Sequence, residues 1–353
     1  MDEASDRIYY DMAADDVFDQ ADEWLISFKN HYANIGAAFL GIYADDPEIM
    51  AGVDPSKISR NNKAYAKGLK SYRNRMHSNK NAWCEICMPS PAWATKVFPE
   101  LSETDAMESL WQAILKSTRA DQENPIEAWK EHQLAIDKKL DALNTSKFSA
   151  LKYKNNLGTN LIVELPDKHV WFGGANTHAI DDYKFVANMP TEEIFSLPKY
   201  NGVNGKIVSS YPLNYNGVLI KDFWFEFKDG VVVNYGASEN LATLTEILET
   251  DDGAKRLGEV AFVPYDSPIS NQGILFYDSL YDENASCHFA LGEAYPFCIE
   301  GGGDMSEDEL KDHGANVSIT HVDFMVGTKD LEIIGVTRDG KEIQVFFDGN
   351  FVI

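Results

Sequence analysis

The chain has 353 residues, 56 acidic against 31 basic, a net charge of −25, 44% hydrophobic content and 25% charged content. These proportions describe a globular protein with room for two domains, and so acidic a balance argues against nucleic-acid and anionic-membrane partners. No apolar run approaches the ~18 residues a bilayer span needs, four cysteines do not make a disulfide framework, and the acidic Met1–Asp6 start lacks a signal-peptide core, so a cytoplasmic location is expected.

Apolar residues at helical spacing predict a helix over Asp16 to Tyr32, followed by a buried strand over Ala37 to Tyr43. Asp54-Pro55 opens another helix, with Asp as cap and Pro in the first turn. The basic stretch Lys67 to Lys80 fits one helix face, and Ala82 to Met88 reads as a second strand. Ser102 to Asp105 resembles a capping arrangement for a helix with an apolar face at Met107, Leu110, Trp111, Ile114 and Leu115. Asn124-Pro125 starts a further helix towards Leu143. Strands alternating with helices predict an α/β N-terminal domain with a parallel sheet, residues 1–147.

From residue 148 to 353 the texture is α+β and largely antiparallel. Strand patterns run over Leu161 to Leu165, Lys206 to Ser210, Val218 to Phe227 and Val231 to Tyr235. Asp229-Gly230, Asp339-Gly340 and Asp348-Gly349 are hairpin signals. Helices are expected over Asn240 to Glu249, Gly273 to Tyr281 and Ser306 to His313. The last has a Ser306/Glu309 capping box and Gly314 as its stop.

Candidate chemistry lies in this second half. Thr320 to Gly327 reads as a buried strand on which His321 and Asp323 share one face. Taken alone, the pair suits either a divalent metal or a hydrogen bond in a polar pocket. Glu192 and Glu193 precede an apolar pair, Glu259 is embedded in an apolar strand, and His288 lies in another buried-looking run. A carboxylate among Val, Ala and Phe is costly unless paired or bound to a cation. Glu193, Glu259, His288, His321 and Asp323 are separated by 66, 29, 33 and 2 positions. Their O and N donors suit Zn, Co, Mn or Mg. They exceed the three protein ligands of a mononuclear catalytic zinc, and a two-metal site with one bridging carboxylate would use all five.

Several segments resemble, in order, the M29 family of metallo-aminopeptidases. They are Trp83-Cys84, Pro89 to Trp93, Asn124 to Trp129, Met189 to Glu193, Gly258-Glu259-Val260, Ser267-Pro268-Ile269, Phe276-Tyr277, Asp282 to Ala285, Gly292 to Pro296 and His321 to Met325. The resemblance covers nearly the whole chain. It implies a cytosolic, homodimeric exopeptidase acting on peptides with a free N-terminus. It makes Glu193, Glu259, His288, His321 and Asp323 ligands of two divalent metal ions. It also makes Tyr295 a site residue whose phenol contacts a metal or the developing oxyanion. Glu192 is a candidate general base or a support for Glu193, against the plain reading of a solvated strand-end charge. Family members usually begin with strand–helix units that precede what is seen here, so the first sheet is expected to lack strands.

Other signals read as structural. Cys84 and Cys87, three apart on a strand, face opposite sides and are read as buried thiols rather than a redox pair. Gly301-Gly302-Gly303 fits neither phosphate-loop pattern and reads as a turn. Trp171 to His178 is a candidate lining of the substrate cleft. His169 and His178 are weighed as extra ligands, with hydrogen-bonded or surface histidines preferred. His31, His77, His132 and His313, in polar helical surroundings, carry no expected role. Two rival functions stay open: a catalytically inactive or assembly-type relative of the same fold, and a metal-independent carboxylate-pair hydrolase using Glu192, Glu193 or Glu259.

Overall fold

A computed structural model describes residues 3–353, and its contacts divide the chain into two compact units. Among the described residues, the first comprises 3–111, 175–189 and 216–218; the second comprises 112–174, 190–215 and 219–353.

The first unit is built on a three-stranded parallel sheet in which Trp83–Cys87 lies between Phe39–Tyr43 and Asn188–Met189. Its helices follow the end signals. Asp54 caps Pro55–Gly68 by accepting the Ser56 N–H, and Ser90 caps Pro91–Val97 by accepting the Trp93 N–H. The helix expected over Asp16 to Tyr32 is instead a 3₁₀ turn, Asp15–Asp19, and a separate helix, Glu23–Asn34. Extended backbone at Gln20 and Asp22 interrupts the periodic pattern. The basic stretch is likewise two helices, Pro55–Gly68 and Lys70–His77, meeting at Leu69.

The second unit stacks two antiparallel sheets. Eight strands run in the order Val231–Gly236, Trp224–Lys228, Val203–Val208, Asn160–Glu164, Phe148–Lys154, Glu332–Thr337, Glu342–Phe347 and Asn350–Phe351. Their turns are those the Asp-Gly pairs require: Asp229 and Gly230 have φ of 50° and 79°, and Asp348 and Gly349 have 48° and 72°. The strand expected over Val218 to Phe227 divides into Val218–Ile220 and Trp224–Lys228, because Asp222 turns the chain at φ 47°.

The second sheet has five strands in the order His321–Met325, His288–Gly292, Leu257–Phe262, Ile194–Ser196 and Phe172–Gly173. Period-two alternation gives it two unlike faces. Val260, Phe262, Phe289, Leu291, Val322 and Phe324 point into the core shared with the larger sheet. Ring pairs across that core include Tyr153 with Phe289 at 5.1 Å, Phe225 with Phe324 at 5.2 Å and Phe262 with Phe346 at 5.3 Å. Trp171 is buried there too, stacked on Phe262 at 4.7 Å, so it belongs to the core and not to a cleft lining. The opposite face carries the polar side chains described below.

The helix expected over Gly273 to Tyr281 is confined to Ser279–Glu283. Gly273 and Tyr277 both adopt left-handed backbone, at φ 64° and 58°, which no α-helix accommodates. Asp278 then caps the short helix by accepting the Tyr281 N–H. The Ser306/Glu309 capping box forms as read, and Gly314, at φ 100°, follows that helix.

Candidate metal centre

The sheet register explains why five side chains distant in sequence meet. Cross-strand partners share a face. Glu259 pairs with Ala290, Ala290 with Asp323, Gly292 with His321 and Ala261 with His288. Glu259, His288, His321 and Asp323 therefore project from the face that turns away from the core. The small side chains of Ala261, Ala290 and Gly292 sit between them and leave space. Glu259 reaches this face only because of a bulge at Gly258: Leu257 is opposite Leu291, yet Glu259 is opposite Ala290. An added Cβ at Gly258 would lie 2.3 Å from the carbonyl oxygens of Glu293 and Gly292, so this close approach requires glycine.

Glu193 enters from the end of the neighbouring strand, its Oε2 3.2 Å from His288 Nε2. Glu259 lies between the two imidazoles, with Oε1 3.7 Å from His288 Nε2 and Oε2 3.3 Å from His321 Nε2. His321 Nε2 is also 3.3 Å from Asp323 Oδ1. The result is two triads that share Glu259: Glu193, Glu259 and His288, then Glu259, His321 and Asp323, with ligand atoms within 4.8 Å of one another in each.

The imidazoles are oriented from behind. His288 Nδ1–H donates to the Ser286 carbonyl at 3.1 Å, and His321 Nδ1–H donates to the Glu293 carbonyl at 2.8 Å. Both rings thereby direct Nε2 towards the carboxylates, the arrangement that metal-binding histidines adopt. Burial alone would lower both histidine pKa values. For His288 it is outweighed by hydrogen bonds to Glu193 and Glu259, and for His321 by Asp323 and Glu259, so both lie well above the ordinary range. Burial and the nearby Glu259 raise Glu193 despite its bond to His288. Asp323, although half-buried, is held low by His321. So dense a cluster of carboxylates and imidazoles, with only O and N donors, fits divalent cations of the Zn, Co, Mn or Mg type.

Two further side chains feel the charge of the cluster. The Tyr295 ring lies 5.0 Å from the His321 ring and stacks on Phe297 at 5.4 Å. Burial, then the charges of Glu259 and Asp323, raise its phenol well above the usual range. Glu283, not singled out from the sequence, is raised by burial and then by the charges of Asp323 and Glu193. Its only sequence signal is its place in the Asp282 to Ala285 segment, and nothing in composition separates it from Asp282 beside it.

Glu192 goes elsewhere. Its carboxylate forms a two-pronged ion pair with Arg119, Nη2 donating to Oε2 at 2.9 Å and Nη1 to Oε1. Backbone alternation thus sends Glu193 towards the cluster and Glu192 towards Arg119. His132 stands beside the pair, with Nε2 2.7 Å from the Thr191 carbonyl. The remaining candidates stay apart: His169 Nδ1–H donates to the Pro166 carbonyl at 2.7 Å, and His178 stacks on Tyr183 at 4.6 Å. None of the four cysteines is in a disulfide; Cys87 is buried and Cys84 half-buried, and burial followed by the Glu85 charge raises the Cys84 thiol.

The sequence profile of a family described as thermophilic metalloprotease (M29) matches residues 1–351. Aminopeptidase 2 of Geobacillus stearothermophilus is 45% identical over 350 residues, spanning 99% of this chain and 84% of the relative. Aminopeptidase AmpS of Bacillus subtilis is 44% identical over 345 residues, spanning 98% and 84%. The solved structure of wild-type AmpT from Thermus thermophilus superposes with a TM-score of 0.91 at 34% identity, covering 100% of this chain and 86% of that one.

Proposed function

We propose a two-cation catalytic centre for a chain that belongs to the thermophilic metalloprotease (M29) family and is a metal-dependent aminopeptidase acting on peptides. Glu193, Glu259 and His288 would hold one cation, and Glu259, His321 and Asp323 the other, with Glu259 shared. The observation that carries this reading is the pair of triads meeting at one carboxylate, with both Nε2 atoms freed by backbone bonds at Nδ1. Cations bound there supply Lewis acidity that activates water and polarises the scissile carbonyl.

The chain's own residues divide the remaining work. Glu283, near enough to feel the charges of Asp323 and Glu193, is suited to take a proton from the attacking water and return it to the leaving amine. The Tyr295 phenol donates to the oxygen on which negative charge develops. The excess of carboxylates favours a substrate bearing a free ammonium group, in keeping with an enzyme that starts at the N-terminus. Glu192, already engaged by Arg119, supports the segment that bears Glu193. Residence in the cytoplasm and assembly as a homodimer complete the proposal. Among the described residues, no helix is long and apolar enough to cross a membrane.

The test is hydrolysis of aminoacyl p-nitroanilides before chelation, after it, and after divalent metal is restored. Chelator-sensitive, metal-restorable cleavage is expected, with His321→Ala folded and inactive. Full activity of His321→Ala at matched metal content overturns the ligand assignment. Metal-indifferent glycoside cleavage would favour a carboxylate-pair hydrolase instead.

A further inference from the structure

Behind Glu193 lies a buried polar frame. Arg119 follows the Glu103–Ser117 helix at φ 57°, a left-handed backbone that favours Gly or Asn. An arginine here accepts an unfavourable conformation, and its guanidinium grips Glu192 with both prongs. The two side chains are 15% and 4% exposed. Arg119 Nη2 also lies 3.1 Å from His132 Nδ1. Guanidinium has only donors, so His132 Nδ1 must accept and its Nε2 carries the proton given to the Thr191 carbonyl at 2.7 Å. On the other side Glu192 N–H donates to Asn284 Oδ1 at 2.7 Å. Trp129 closes the frame: its Nε1–H donates to the Thr118 carbonyl at 2.7 Å, and its ring meets that of His132 edge-on at 5.6 Å.

We propose that Arg119 and His132 are positioning residues that clamp Thr191 and Glu192 so that Glu193 meets His288 and Glu259. The clamp fixes the backbone on both sides of the Thr191–Glu192 peptide and removes the choice of which carboxylate faces the centre. Without it, adjacent Glu192 and Glu193 could exchange places by a small twist of an extended segment. Asn284 ties the same peptide to the segment that ends in His288, so the first triad is set as a unit. This inference rests on the two-cation reading above and concerns only the triad that contains Glu193.

The discriminating measurement is cation affinity, read by competition with a fluorescent chelator, in wild type, Arg119→Lys and the double variant Arg119→Met/Glu192→Met. Arg119→Met alone would leave Glu192 buried without its partner and unfold the region, whereas removing both charges is tolerated far better. The double variant should keep the wild-type circular-dichroism spectrum yet bind one cation about 10- to 100-fold more weakly, the scale seen when groups behind metal ligands are removed. Arg119→Lys, which keeps the charge but loses the fork, should fall between. A folded double variant with wild-type affinity at every site overturns the positioning role. A wild-type protein that binds no cation overturns instead the reading on which this inference stands.

Discussion

His288 and His321 approach opposite oxygens of a single carboxylate, Oε1 and Oε2 of Glu259, at 3.7 and 3.3 Å. The two proposed cation positions are therefore not equivalent in what each acidic residue controls. Loss of Glu259 removes a donor from both, while loss of Glu193 or Asp323 removes one from a single triad. Purified Glu193→Ala should retain about one equivalent of tightly held divalent metal where wild type holds two, and Glu259→Ala should retain close to none. Elemental analysis after exhaustive dialysis decides the point. Equal losses in the two variants would break the shared-carboxylate assignment.

A second expectation concerns the bulge. Strict alternation along Leu257–Phe262 would carry the Glu259 side chain into the core with Val260 on the polar face, and the extra residue at Gly258 reverses this. A methyl group at 258 collides with two carbonyl oxygens at 2.3 Å. Backbone carbonyls in a paired strand do not move aside cheaply, so Gly258→Ala should cost about 1–3 kcal/mol in stability. It should also depress metal-dependent hydrolysis by more than the lost stability accounts for, because Glu259 is displaced. Denaturant unfolding paired with activity at a temperature where the variant stays folded separates the two effects. A stable variant with normal activity would show that the bulge is incidental.

How far the residues announce this site depends on which physical signal each carries. His321 and Asp323 are legible because period-two alternation alone puts them on one face. Glu259 is legible as an expensive carboxylate among Val, Ala and Phe, but not its facing, since one glycine shifts the register. The hairpins at Asp229-Gly230 and Asp348-Gly349 are written in residue types that tolerate positive φ. The failures share a cause. The single helix over Asp16 to Tyr32 rests on apolar spacing, which does not register extended backbone at Gln20, and the expected Gly273 to Tyr281 helix likewise misses the left-handed Tyr277. Arg119 and His132 were invisible because the partner of a buried ion pair lies 73 positions away in Glu192. Nothing local distinguishes such residues from surface charges.

Tyr295 offers a clean separation of packing from chemistry. Its ring packs against Phe297 and the His321 imidazole, and Phe at this position preserves that packing. Tyr295→Phe should therefore keep wild-type stability and metal content. If the phenol donates to the developing oxyanion, kcat should fall about 10²- to 10³-fold with little change in KM. Steady-state kinetics on an aminoacyl anilide tests this. A variant within a factor of two of wild type would remove Tyr295 from the chemistry.

The last expectation follows from Asp282, whose carboxyl is pushed up to about 8 by burial, an effect only partly offset by the hydrogen bond it accepts from the Phe276 N–H. In the unfolded chain the same group titrates near ~3.9. Between those values the unfolded chain gives up a proton that the folded protein keeps. The group's contribution is therefore fully present below the unfolded value and declines by up to ~1.4 kcal/mol per pH unit until the folded carboxyl ionises. Asn at this position retains an acceptor for the Phe276 N–H and cannot ionise. The stability of Asp282→Asn relative to wild type should thus improve steadily from pH 5 to pH 8 and level off above it. Urea midpoints of both proteins across that range, measured in chelator so that cation binding does not intrude, give the difference directly. Parallel curves would mean that Asp282 is ionised throughout, its charge satisfied by the backbone N–H groups around it.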